Sequence, residues 1–250
     1  SGFVLNYATP VGLMGGEPYR IMELTPYVGA SKATSSVILY VMMHIFSHFC
    51  FWFFSIFLYL ALRPVDIAMG TILAVVGAVS LLAIYFFMKG YKNGMAVRTL
   101  KLLQHIPFIK EWAKRFSENK REALERVDSQ IAELHKQRRS TFYASLSLEF
   151  MARIIGCLEV YFILNILTTD VSFPACILIM AFTSLFANLF FFSPMQLGAR
   201  EGGFALAVGG LAIPGAFGVY TGLITRVREL IWIVIGVLLM KVGNGTPANK

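Results

Sequence analysis

Apolar residues run through the chain in five long blocks, approximately Ser35 to Leu62, Ile67 to Met88, Thr141 to Leu167, Ser172 to Phe192 and Val219 to Met240. Each approaches or exceeds the roughly 20 residues that a helix needs to cross a hydrocarbon core of about 30 Å. None shows the period-two alternation of a strand, and a bilayer admits only helices or closed barrels, because backbone N–H and C=O groups must find partners internally. The pattern predicts an all-α, polytopic membrane protein of about five full spans. The links Arg63 to Asp66 and Thr168 to Val171 are short, so the first and second spans, and the third and fourth, are expected to form helical hairpins.

Two stretches break this pattern. "TPVGLMGGEPYRIMELTP", Thr9 to Pro26, combines glycines, prolines and charges, and "FFSPMQLGAREGG", Phe191 to Gly203, does so again near the other end. Pro10, Gly15, Gly16, Pro18 and Pro26 in the first, and Pro194, Gly198, Gly202 and Gly203 in the second, oppose one continuous helix. A short apolar helix, Phe204 to Ile213, and a break at Pro214-Gly215 follow the second. Irregular backbone at membrane depth survives only where protein or water satisfies it, so both stretches, 3–33 and 193–215, are expected to be re-entrant or broken helices. Paired interruptions in the two halves of a chain point to an inverted repeat with a polar site between the halves, where half-helix N-termini offer N–H groups to an anion.

Composition agrees: 57% of the 250 residues are hydrophobic and 14% charged, far from the balance of an ordinary soluble domain. The net charge of +8 is concentrated in 89–140, which holds 13 of the 22 basic residues against six acids. Leu124, Val127, Ile131 and Leu134 recur there at helical spacing, which predicts an amphipathic helix in a cytoplasmic loop. Topology and anionic headgroups account for its charge, so a nucleic-acid partner is not expected. Cys50, Cys157 and Cys176 each lie in an apolar run without disulfide or metal-ligand spacing.

Most other charges fall in four groups inside or beside apolar segments: Glu17, Arg20 and Glu23; Glu149, Arg153 and Glu159; Arg200 and Glu201; Arg226, Arg228 and Glu229. A charge facing lipid at a helix centre costs about 2.5 to 3.5 kcal/mol on insertion scales, so these groups are expected to pair, to sit at the interface or to line a polar cavity. Glu149 with Arg153, and Arg226 with Glu229, have the spacing to pair along one helix. Glu159 and Arg228 have no clear partner at that spacing. His44 and His48 share one helix face; two ligands are too few for a closed metal site, and packing or interhelical hydrogen bonding is the expected role.

At the broken stretches the chain resembles the lysylphosphatidylglycerol synthase transmembrane, flippase-like family. Asn6, Pro10, Gly15, Gly16, Glu17 and Arg20 follow the order of that family's first motif. Pro194, Leu197, Gly198 and Glu201, with Arg200 before the acid, follow its second, and Arg226 matches an arginine usual in the last span. The resemblance covers Asn6 to Met240. It departs in "SSVILYVMMHIFSHF", where the family commonly carries a Glu-Arg pair and a later Asp, and this chain has His44 and His48 as polar candidates.

The resemblance implies a lipid-handling protein; relatives include the domain that moves aminoacylated phosphatidylglycerol between leaflets. It also implies spans upstream of the first motif, in keeping with the Ser-Gly start. The leading expectation is a single membrane domain, 1–250, of the inner (plasma) membrane, acting as a flippase or scramblase for an anionic, aminoacylated or polyprenyl-phosphate-type lipid. Arg20, Arg200 and Arg226 would bind the phosphate, while Glu17 and Glu201 hold those arginines or meet a cationic headgroup. Asn6, Gly15, Gly16, Gly198, Glu149, Arg153 and Glu229 complete the candidate site. No catalytic residue, metal or cofactor is expected; membrane lipids are the expected partners, and a homo-oligomer is compatible with the pattern. The alternatives are an enzyme or enzyme partner in glycolipid or polyprenyl-phosphate metabolism, and a non-transporting assembly subunit.

Overall fold

The computed structural model describes residues 5, 16–93, 129, 139–168, 170–190 and 196–243. Among the described residues the chain forms seven helices and no strand: α1 (Gly16–Val28), α2 (Ala30–Leu62), α3 (Ile67–Asn93), α4 (Arg139–Leu167), α5 (Phe173–Leu189), α6 (Ala199–Gly209) and α7 (Gly215–Gly243). Asn6, Pro10, Gly15, Pro194 and the amphipathic positions Leu124, Val127, Ile131 and Leu134 lie outside the described residues. Among the described residues three helices are long and apolar enough to cross a membrane: α2, residues 67–89 of α3 and residues 140–167 of α4. α5 is apolar but shorter, at 17 residues. α7 has 29 residues and carries Arg226, Arg228 and Glu229 near its middle.

Packing divides the chain into two compact units, one of 1–20, 57–63 and 153–250, the other of 21–56 and 64–152. In the second unit α2 and α3 form the expected hairpin. Asp66 caps α3, its Oδ1 accepting the Met69 N–H at 2.7 Å. Phe46 stacks on Phe87 with ring centroids 4.2 Å apart, and a Cβ added at Gly77 would touch Ile56 at 3.4 Å. These contacts share one antiparallel register about the Arg63–Asp66 link. Met43, Phe46, Phe87 and Phe142 form its core.

The break after the first motif falls elsewhere than its prolines suggest. Pro18 and Pro26 both lie within α1. Pro18 occupies the first turn, where N–H groups have no acceptor inside the helix, and Pro26 forfeits one bond near the end. The interruption is at Gly29, whose φ of +83° is left-handed. Its N–H donates to the Thr25 carbonyl at 2.9 Å, and its own carbonyl accepts from Ala33 at 3.0 Å as α2 begins.

In the first unit, Asn165 stitches the turn from α4 to α5: its Nδ2 donates to the Tyr161 and Val171 carbonyls at 2.8 and 3.0 Å, and its Oδ1 accepts the Val171 N–H at 3.2 Å. Ser172 then caps α5, its hydroxyl accepting the Ala175 N–H at 3.4 Å. The short helix α6 packs against both α5 and α7. Val160, Leu164, Cys176, Ile179, Phe204 and Val208 bury the contact among α4, α5 and α6. On the outer faces Val75, Val79 and Leu82 of α3, and Val227, Leu230 and Val234 of α7, are exposed. A lipid bilayer solvates such faces and water does not.

Candidate polar site around the short helix α6

The site is built outward from Gly198. Its φ of +78° turns the chain into α6 through a conformation that residues with a Cβ rarely adopt. Glu201, in the first turn, accepts the Gly198 N–H on Oε2 at 2.9 Å, so one carboxylate closes the helix N-terminus. Two residues on, Gly203 lies against α5, where an added Cβ would meet the Thr183 Cα at 3.3 Å.

α7 approaches α6 through glycines. A Cβ at Gly218 would lie 2.5 Å from the Phe204 carbonyl oxygen and 2.7 Å from the Ala205 Cα, and one at Gly222 would lie 3.2 Å from the Glu201 Cα. Thr221 and Thr225 are buried between them, with hydroxyls donating to the Phe217 and Gly222 carbonyls at 2.7 and 2.8 Å. Because Gly222 faces Glu201, the residue one turn further along the same face of α7 is brought to the Glu201 carboxylate. That residue is Arg226.

The Arg226 guanidinium grips Glu201 with two nitrogens: Nε donates to Oε1, and Nη2 donates to Oε2 at 3.0 Å and to the Gln196 carbonyl at 3.1 Å. This is the fork geometry that makes arginine–carboxylate pairs directional. Arg200, beside Glu201, donates to Oε1 of Glu229 on α7. Arg228 donates to Glu159 of α4, with a second nitrogen 3.9 Å from Glu229 Oε1. Three arginines and three glutamates thus form a charge-balanced cluster across α4, α6 and α7, made of the Arg226–Glu201 pair and a chain from Arg200 through Glu229 and Arg228 to Glu159. Exposure of the side chains grades from 9% at Glu229 and 11% at Arg226 to 47% at Arg228. Glu229 Oε2 is buried and has no hydrogen-bond partner among the described residues.

The in-helix pairing expected of Arg226 and Glu229 is therefore replaced by pairing between helices. Glu159 and Arg228, partnerless in the sequence, are each other's partners. At the first motif Arg20 and Glu17 pair along α1, 3.4 Å apart, with Gly16 buried at the helix start. Glu149, in the other unit, meets His44 Nδ1 at 3.5 Å. His44 belongs to a ladder on α2, with Tyr40, His48 and Trp52 at centroid distances of 6.2, 5.2 and 5.5 Å in sequence. Beside it a cavity of about 660 Å³ is lined by Ser36, Tyr40, Met43, Thr141, Ser145 and Glu149, among others. Arg153 is partly buried, and its carbonyl accepts the Cys157 thiol at 3.2 Å.

What this network can do follows from its donors. Guanidiniums disfavour a metal cation, and among the described residues no group of three or more His, Cys, Asp or Glu side chains could hold one. Arginines paired with carboxylates at the N-terminus of a short helix have the donors that suit an oxyanion.

Long apolar helices with lipid-facing outer surfaces and an internal ion network define a polytopic helical membrane protein. Residues 1–236 match the family model of the lysylphosphatidylglycerol synthase TM region, and the chain belongs to that family. No curated protein and no solved structure gives a significant match. Membership makes the chain a membrane protein of lipid metabolism or lipid flipping.

Proposed function

We propose that the chain moves a polar, phosphate-bearing lipid between bilayer leaflets, with the arginines of the network as its headgroup site and with no chemistry performed on the lipid. The observation that carries this reading is the charge-balanced Arg–Glu network around the N-terminus of α6, in a helical bundle whose outer faces are apolar. A phosphodiester anion can replace a carboxylate on Arg200 or Arg226 without leaving either guanidinium unpaired, while the acyl chains stay in the bilayer. First-motif residues Glu17 and Arg20 belong to the same compact unit as this network, which favours one shared site. In this reading the two broken segments are the halves of an inverted repeat, the protein sits in the inner membrane, and 89–140 faces the cytoplasm by the positive-inside tendency.

The test is reconstitution of the purified full chain into liposomes with lipids labelled on phosphatidylglycerol, aminoacylated phosphatidylglycerol or phosphatidylcholine headgroups. Leaflet exchange above protein-free vesicles is expected for a phosphate lipid, with preference among headgroups. A second reading, a non-transporting assembly subunit, is favoured by one observation: Glu17 and Glu201 both already hold arginines of this chain. No exchange with any headgroup would decide for it.

A further inference from the structure

We propose that the cavity between α2 and α4 is a second binding site, for a lipid whose headgroup ends in a primary ammonium. It lies wholly within the second unit and does not depend on the reading of the arginine cluster in the first. Its volume of about 660 Å³ falls in the range of about 300 to 1,000 Å³ that small-molecule sites occupy. Two polar stripes lead along it. On α2 Ser36, Tyr40 and His44 follow one another at intervals of four residues, and on α4 Thr141, Ser145 and Glu149 do the same, so each stripe keeps to one face of its helix. The stripes run side by side because the two helices point the same way. Phe142 packs in the core with Met43 and Phe46, and Phe150, two turns on, meets Phe51 and Phe54 edge-on at centroid distances of 6.3 and 5.6 Å. They join at Glu149, whose Oε2 lies 3.5 Å from His44 Nδ1.

The class of ligand follows from the donors and acceptors on these walls. Thr34, Ser35, Ser47 and Ser55 of α2 turn their hydroxyls back onto carbonyls of their own helix, at 2.7 to 2.9 Å. Ser36, Thr141 and Ser145, on the cavity lining, make no such bond among the described residues, so their hydroxyls are left to what enters. The one charged side chain on the lining is the Glu149 carboxylate, and His44 at 3.5 Å is beyond ordinary hydrogen-bond length and does not saturate it. A phosphate would meet that carboxylate with no lysine or arginine on the lining to offset it. A primary ammonium brings the complement: three donors, no acceptor and one positive charge. It can donate to Glu149 and to hydroxyls a turn away, beside the ring of Tyr40. Its carrier is a lipid and not a free amine, because Leu39, Met43, Phe142 and Leu148 make the remaining wall apolar, between helices long and apolar enough to cross a membrane. Such a wall suits an acyl chain and not a hydrated ion.

The test uses the full chain with Cys50, Cys157 and Cys176 replaced and Ser145→Cys as reporter, in phosphatidylcholine nanodiscs. Position 145 is exposed on the polar wall, so a water-soluble maleimide should alkylate it. Added phosphatidylethanolamine should slow that reaction saturably. Phosphatidylglycerol and N-acetylated phosphatidylethanolamine, which lack the ammonium, should not. Glu149→Gln keeps the shape and removes the charge, and should weaken the protection by roughly tenfold to a hundredfold, as expected for a lost hydrogen bond to a charged group. Glu23→Gln, exposed on α1, should leave the protection as it was. Full protection in Glu149→Gln would overturn the proposal. So would equal protection by the N-acetylated lipid, a comparison that needs no Glu149 variant to fold. Protection by free ethanolamine and not by phosphatidylethanolamine would overturn the lipid assignment, and a reporter that does not react in phosphatidylcholine alone would overturn the site itself.

Discussion

Glu201 serves two structures with one carboxylate, closing the α6 N-terminus through Gly198 and fixing Arg226 through both nitrogens of a fork. Removing either partner of such a pair strands a buried charge, which costs about 3 to 5 kcal/mol, whereas removing both is often close to neutral. Glu201→Gln and Arg226→Gln should therefore each lower stability by about 3 kcal/mol, the lower end because the amide keeps some hydrogen bonds, and the double variant should recover most of that loss. Thermal unfolding in detergent, followed by tryptophan fluorescence, measures this. Leaflet exchange should be lost in all three, which separates the arginine's role in stability from its role in function. Arg200, Glu201, Arg226 and Glu229 were legible as candidates because charge in an apolar run demands an explanation. Their partners were not, since spacing along one helix says nothing of helices that meet across the fold.

At the scale of elements, the α6–α7 contact decides whether the network forms, and it is made of missing side chains. Gly218→Ala would force a methyl to within 2.5 Å of the Phe204 carbonyl oxygen, so backbone must move; a loss of about 1 to 3 kcal/mol is expected. Gly209→Ala is the control. A Cβ there meets nothing within 4 Å, and replacing a helical glycine should be neutral or stabilising by about 0.5 to 1 kcal/mol. The same unfolding assay should give opposite signs at the two positions. The Gly218-x-x-x-Gly222 spacing, a signal for close helix packing in membranes, was present in the sequence and was not among the candidate features. Gly29→Ala tests the other break: its cost of about 1 to 2 kcal/mol would come from the left-handed φ alone, because the added Cβ has open space around it.

For the whole molecule the expectation is a bilayer-embedded bundle with its basic segment in water. In a variant lacking Cys50, Cys157 and Cys176, a cysteine at position 115 should react with a membrane-impermeant maleimide from the cytoplasmic side. One at Val75, exposed on α3, should stay protected in intact membranes and react after detergent is added. If the two motifs share one site, cysteines replacing Arg20 and Gln196 should be joined by a bifunctional maleimide spanning on the order of 10 Å, the reach of one site between packed repeats. Failure to cross-link, with both positions reactive singly, would count against a shared site.

The all-helical membrane class, the two short turns between apolar blocks and the need of the internal charges for partners were legible in the sequence; of the five full spans it predicted, three helices among the described residues are long and apolar enough to cross a membrane. Each is a local matter: apolar run length sets insertion, and glycines and prolines act on their own turn. Within the stretch 3–33 Pro18 and Pro26 do not themselves interrupt α1, because a proline in a helix's first turn or near its end leaves most of the hydrogen-bond ladder intact, whereas Gly29 ends it by its φ. Tertiary structure decided who pairs with whom. Arg228 reaches Glu159 across 69 residues, and Arg200 and Arg226 reach Glu229 and Glu201 across 29 and 25. No periodicity along one helix encodes those distances, since they depend on where glycine faces let α6 dock against α5 and α7. The same docking buries Glu229 against Arg200, and so turns a glutamate that read as half of a local ion pair into a partner of the neighbouring helix.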